Sequence, residues 1–344
     1  MPQNKSGNYT IAVLGGGSFG TALSDISATN GHDVRLWVRS SAQAEAINRD
    51  HINQRYLPEL VIDSSVSATT SLSDAAADAD IAFIAIPSQF FREVVRKAAP
   101  MLEGKIVIST TKGIEPESFD LMSQILVEEL SQVRIGVLSG PNLAKEIVAK
   151  EVTATVIASE DNDLCQIIQK VLHCHYFRVY ANSDVYGVEL AGALKNIYAI
   201  VSGVGAALGM GENTKSMLIT RSLAEMSRIA VKMGANPLTF LGLAGVGDLI
   251  ATCTSSLSRN FRVGFALGKG KSLQEATLEL GQVAEGVNTL KQVRQKAEEL
   301  NVYMPLVDSL YKIIFENYDV DILVKGMMQS EHKRDVEFVL PNKR

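Results

Sequence analysis

The run Gly15-Gly16-Gly17-Ser18-Phe19-Gly20 constrains this chain more than any other feature. It follows the β-branched stretch TIAVL and opens the helical pattern SFGTALSDISATN, so the glycines fall at a strand-to-helix turn. In a G-x-G-x-x-G turn the first glycine allows a tight bend, the second a close approach of backbone to a pyrophosphate, and the third close packing of helix on strand. Gly15, Gly17 and Gly20 occupy those places, and the helix N-terminus behind them offers N–H groups and partial positive charge to phosphate. A glycine turn used only for packing is the plainer alternative. Strand, turn and helix standing in order weigh against it.

From Tyr9 onward, strand-like runs alternate with helical periodicities, through DVRLWV, DIAFIAIP, KIVISTTKG, RIGVLSGP, TATVIAS and YFRVYA. Such alternation predicts βαβ units and a mostly parallel sheet, an α/β architecture of the Rossmann type. After Asn182 the strand signals stop and long helical patterns take over, with Gly234, Gly270 and Gly281 where helix C-caps would fall. The expected organisation is a dinucleotide-binding domain over 1–185, followed by an all-helical, substrate-binding domain over 186–344.

The 33 basic and 38 acidic side chains leave a net charge of −5, which gives no global reason to bind nucleic acid or an anionic membrane. Anionic ligands must therefore be held by local groups. Three irregularly spaced cysteines do not make a disulfide framework and suit a reducing, cytoplasmic compartment. Cys174 between His173 and His175 lacks the convergent partners a metal requires, so no metal is expected. The first ten residues lack a signal-peptide core, and the apolar stretch from Ile197 to Gly211 is shorter than the roughly 20 residues that span a bilayer.

Five ordered blocks join the glycine turn: TTKGIEP (110–116), LSGPNLAKE (138–146), VELAGALKNIYAI (188–200), AGVGDLIATCTSSLSRNFRVG (244–264) and VAEGV (283–287). Together they resemble the bacterial NAD(P)-dependent glycerol-3-phosphate dehydrogenases over most of the chain, most specifically between Asp248 and Gly264. The resemblance implies NADPH or NADH as cofactor and glycerol 3-phosphate or dihydroxyacetone phosphate as substrate, with the product feeding phospholipid synthesis. Carried over by position, it implies Ser18, Phe19, Arg39, Lys112, Ala144, Arg259, Val283 and Glu285 at the cofactor. It also implies Lys112, Gly140, Asn142, Lys195, Asp248, Ser258, Arg259 and Asn260 at the substrate, with Lys195 catalytic. The chain departs from the family where Phe19 replaces tryptophan and where Asn142-Leu143 replaces serine-phenylalanine. The aromatic face survives the first change, and the second leaves the contact of Asn142 with substrate open.

The residue chemistry agrees. Interconverting a secondary alcohol and a ketone needs one group that gives or takes a proton, and Lys195 in the weakly polar AGALKNIYAI is the candidate. A neighbouring cation such as Lys112 would favour its neutral form. Its alternative role is a fixed charge paired with Asp248. Asp248 would either orient that lysine or bond a substrate hydroxyl. Ser258 reads as an N-cap whose helix, with Arg259 and Asn260, seats a phosphate. Arg39 stands at the end of the second strand, where NAD-specific chains usually carry an acid, so it would pair with a 2′-phosphate or simply be solvated. Glu285 would touch nicotinamide or ribose, or merely complement a helix dipole. A related dehydrogenase acting on another hydroxy acid or sugar phosphate is the rival enzyme reading, and a cofactor-sensing regulator the rival outside catalysis. A homodimer is expected by analogy with similar helical domains.

Overall fold

A computed structural model describes residues 7–280 and 285–320, and two compact units emerge from it. The first comprises residues up to Glu115 and from Asp120 to Glu189; the second comprises Pro116–Phe119 and the chain from Leu190 onward.

The first unit carries β1 (Thr10–Leu14), β2 (Asp33–Trp37), β3 (Val66–Thr69), β4 (Ile81–Ile84), β5 (Ile106–Ser109), β6 (Arg134–Ser139), β7 (Thr153–Ala158) and β8 (Phe177–Asn182) in one sheet, ordered β3-β2-β1-β4-β5-β6-β7-β8. Its helices are α1 (Ser18–Thr29), α2 (Ser41–Asp50), α3 (Leu72–Ala76), α4 (Phe91–Leu102), α5 (Met122–Glu129), α6 (Ala144–Val148) and α7 (Asn162–Leu172). Strand periodicity sorts β1 between two cores. Ile11 and Val13 pack with α1 and α7 residues such as Leu23 and Ile168, whereas Ala12 and Leu14 pack with α4 and α5 residues such as Val95 and Ile125. The first six strands are parallel, but β7 runs antiparallel to β6 and parallel to β8.

The remaining helices are α8 (Val185–Ala207), α9 (Glu212–Lys232), α10 (Asp248–Thr254), α11 (Arg259–Gly268), α12 (Leu273–Leu280), α13 (Glu285–Glu299) and α14 (Pro305–Phe315). Gly234 and Gly270 follow α9 and α11 with φ of 95° and 83°, which glycine alone adopts at little cost. The expected cap at Gly281 lies outside the described residues. α8 is longer than the apolar stretch read from sequence. At 23 residues it meets the length and hydropathy of a bilayer span, but 83% of its most apolar window is buried inside the protein. Glu189 and Lys195, which interrupt its sequence, are both buried and hydrogen-bonded, as an interior helix requires.

Two buried glutamates cap helices that have no side-chain cap at their own N-cap residue. Glu189 accepts from the Ser123 N–H at 3.0 Å at the start of α5, and Glu225 accepts from the Leu306 N–H at 2.8 Å at the start of α14. Burial pushes the Glu189 carboxyl up to about 7 and that of Glu225 up to about 8. The Tyr198 hydroxyl and the charge of Arg228 also face Glu225. Because its folded value lies above the ordinary one, the stability Glu225 contributes is complete below about pH 4.5 and is lost as pH rises through about 8. Glu225→Gln is therefore expected to flatten the decline in unfolding free energy between those limits, by on the order of 2–4 kcal/mol in chemical denaturation. An unchanged slope would remove Glu225 as its source.

Candidate active site

The glycine turn is built as the spacing requires. Gly15 has φ of 130°, and a Cβ there would overlap the Ala85 carbonyl. A Cβ on Gly20 would overlap the Gly15 carbonyl oxygen, so α1 lies against β1 only because residue 20 lacks one. Gly17 differs, since a Cβ there would meet nothing within 4 Å. It is the N-cap of α1, it offers no side-chain cap, and the first turn holds no acid. Backbone donors at an uncapped helix start, beside open space, fit the pyrophosphate of a dinucleotide. Phe19 packs partly buried against the first core, and the Ser18 hydroxyl donates to the Tyr56 carbonyl at 3.3 Å. Arg39 is exposed just beyond β2, its guanidinium 5.3 Å from the centre of the Phe90 ring. That contact sets the charge two residues past the end of β2.

A second cluster forms beyond β5 and β6. The hydroxyls of Thr110 and Thr111 donate to the carbonyls of Ile84 and Ile86, and β5 ends at Ser109, short of the end of the strand-like run KIVISTTKG read from the sequence. Lys112 then leaves the sheet, and its ammonium donates to the Gly140 carbonyl at 2.8 Å. Gly140 has φ of 144°, conformation enough to require glycine. Asn142 donates from Nδ2 to the Thr155 hydroxyl at 3.0 Å, while its Oδ1 is buried with no protein partner. An unmatched buried acceptor costs about 1–3 kcal/mol, which a donor on a bound ligand would recover. Leu143 is the N-cap of α6, and Ala144 opens the helix two residues after Asn142. Thr155 was not singled out in the sequence, because a threonine inside a strand gives no signal of its own.

The third cluster belongs wholly to the second unit. Lys195 is 6% exposed, and its ammonium donates to Asp248 Oδ1 at 2.7 Å and to the Thr252 hydroxyl. Its salt-bridge partner is thus the side chain that sequence reasoning gave as the alternative partner. A π-helical stretch over 243–247 delivers Asp248 to the start of α10, and Thr252 lies one turn on. The neighbouring Asn196 accepts from Asn260 Nδ2 at 2.9 Å, and Asn260 Oδ1 accepts from the Gly286 N–H at 3.1 Å. Ser258 caps α11 as expected, accepting from the Phe261 N–H at 3.3 Å, and Arg259 follows it, exposed. Glu285 starts α13 beside Gly286. Segments near 195, 250, 260 and 285 therefore converge through hydrogen bonds. Val283 lies outside the described residues. Thr252 and Asn196 were missed, although each sits within a few residues of a recognised position.

Two family models cover most of this framework: the NAD-dependent glycerol-3-phosphate dehydrogenase N-terminus matches residues 10–165, and the C-terminus of the same family matches 184–325. The glycerol-3-phosphate dehydrogenase (NAD(P)+) of Saccharophagus degradans is 57% identical over 335 residues, 97% of this chain and 94% of the relative. The chain belongs to the NAD-dependent glycerol-3-phosphate dehydrogenase family. Another relative of the same name, from Alcanivorax borkumensis, is 57% identical over 99% of this chain and 98% of its own. Among solved structures, the glycerol-3-phosphate dehydrogenase of Coxiella burnetii superposes with a TM-score of 0.89 at 36% identity, covering 94% of this chain and 99% of that one. As a member of the glycerol-3-phosphate dehydrogenase family, the protein is an oxidoreductase whose glycine turn has the form an NAD(P) site requires.

Proposed function

We propose that the protein is an NAD(P)-dependent sn-glycerol-3-phosphate dehydrogenase that reduces dihydroxyacetone phosphate in the cytoplasm, as a homodimer, to supply glycerophospholipid synthesis. The observation that carries the chemistry is the buried Lys195 ammonium, held by a carboxylate and a hydroxyl in a weakly polar helix. A dihydronicotinamide, when bound, would supply the hydride for carbon 2. Lys195 gives its proton to the oxygen of that carbon and becomes a neutral amine; in the oxidative direction it takes the same proton back. Asp248 and Thr252 fix the amine's direction and leave it one remaining N–H to donate. Asn260 and the capped start of α11, with Arg259, bind the substrate phosphate, while Lys112, Gly140 and Asn142 bind substrate, Lys112 also meeting cofactor. Ser18, Phe19, Arg39, Ala144, Arg259, Val283 and Glu285 complete the cofactor contacts.

Arg39 sets the choice between cofactors. Arg39→Ala is expected to raise the KM for NADPH roughly 10- to 100-fold, the loss of a charge-assisted contact with the 2′-phosphate, and that for NADH less than about threefold. Initial rates with dihydroxyacetone phosphate measure both. Equal changes for the two cofactors would show that Arg39 does not read the phosphate.

A further inference from the structure

Three consecutive glycines make a turn that is poorly determined by its own chain. The peptide between Gly16 and Gly17 has no Cβ on either side, so little steric resistance opposes its flipping. A flip would exchange an N–H donor for a carbonyl oxygen at the mouth of an anion site. In this structure the peptide is held from outside the motif. The Gly16 carbonyl accepts from Gln43 Nε2 at 2.8 Å and from Asn53 Nδ2 at 3.0 Å. Gln43 Nε2 also donates to Asn53 Oδ1 at 3.2 Å, joining the two amides. Asn53, 1% exposed, donates in addition to the Thr21 hydroxyl at 2.8 Å, and that hydroxyl donates to the Gly17 carbonyl at 2.9 Å. The carbonyls on both sides of Gly17 are thereby fixed. In a trans peptide C=O and N–H point in opposite directions, so anchoring the Gly16 oxygen on the amides turns the Gly17 N–H to the other side.

We propose that Asn53, with Gln43, is a positioning pair for the cofactor turn, holding the Gly16–Gly17 peptide so that its N–H remains available to the pyrophosphate. The inference rests on the dinucleotide reading and extends it to two residues outside the glycine motif. Asn53 comes from a tight turn in which its carbonyl accepts from the Leu57 N–H at 2.9 Å, and Gln43 from α2. Pre-arrangement removes the cost of ordering the glycines when cofactor binds, so its loss falls on affinity and spares the hydride-transfer step.

The test measures dissociation constants for NADPH and NADH by fluorescence titration of the full-length protein, together with the melting temperature of the unliganded form. Gln43→Ala, a half-buried change, is expected to weaken both cofactors roughly 5- to 10-fold, and Asn53→Ala roughly 30- to 100-fold. At saturating cofactor, kcat and the KM for dihydroxyacetone phosphate stay within about threefold of wild type. Asn53→Asp keeps the shape but loses both donors and is expected to bind no better than Asn53→Ala. The double variant falls short of the sum of the single effects, because both amides serve one carbonyl. Wild-type affinity in Gln43→Ala and Asn53→Ala, with only a lower melting temperature, would overturn the proposal and leave a packing role. Failure of the unsubstituted protein to bind either cofactor would instead bring down the dinucleotide reading, and this inference with it.

Discussion

Lys195→Ala is expected to lower kcat for reduction of dihydroxyacetone phosphate by roughly a thousandfold or more, while the dissociation constant for NADPH changes less than about twofold. Removing the proposed proton donor would act on the transition state, whereas the glycine turn proposed to bind cofactor keeps its sequence. The same change strands Asp248, which is 1% exposed and pairs with the lysine at 2.7 Å. Leaving one partner of a buried ion pair alone costs about 3–5 kcal/mol, so the variant is expected to melt well below wild type. Lys195→Met with Asp248→Asn separates the two effects: stability recovers because no lone charge stays buried, and turnover does not. A variant retaining more than about a tenth of wild-type kcat would remove Lys195 from proton transfer.

The glycine turn supports a second large effect, with a built-in contrast. Gly20→Ala drives a methyl into the Gly15 carbonyl, so α1 must separate from β1. The expected cost is about 2–4 kcal/mol, a fall in melting temperature of roughly 5–10 °C, and cofactor binding below detection. Gly17→Ala places its methyl where no protein atom lies within 4 Å and where φ is −78°, an ordinary value for alanine. Its melting temperature should therefore match wild type within roughly 2 °C while cofactor affinity falls roughly tenfold or more, the methyl standing between backbone and pyrophosphate. Comparable affinity in Gly17→Ala and wild type would mean that the ligand does not approach that residue.

Local signals explain what the sequence disclosed. The parallel strands read as continuous apolar runs because both faces are buried, and the spacing of Gly15 and Gly20 marks the two places where a Cβ would strike backbone. Ser258 was readable as a cap because its partner, the Phe261 N–H, is three residues away. Features made by distant partners were not readable. The reversal of β7 depends on its pairing with β6, not on its composition. The π-helical stretch before Asp248 and the short α3 have no distinctive periodicity. Thr252 joins Lys195 across 57 positions and Asn53 joins Gly16 across 37, distances over which no pattern of residue types announces a hydrogen bond. The burial of Glu189 likewise depends on the Ser123 N–H, 66 positions away, and leaves no mark in the local pattern.

Reduction of a phosphorylated ketone with a nicotinamide cofactor is the activity from which the other expected effects follow. Its most direct measurement is the initial rate of absorbance loss at about 340 nm with NADPH, comparing dihydroxyacetone phosphate with unphosphorylated dihydroxyacetone at equal concentration. Ready turnover of the first is expected, with a kcat/KM at least roughly a thousandfold lower for the second, because the charge-assisted phosphate contacts are lost. Equal rates with the two ketones, or turnover confined to a ketone lacking phosphate, would contradict it.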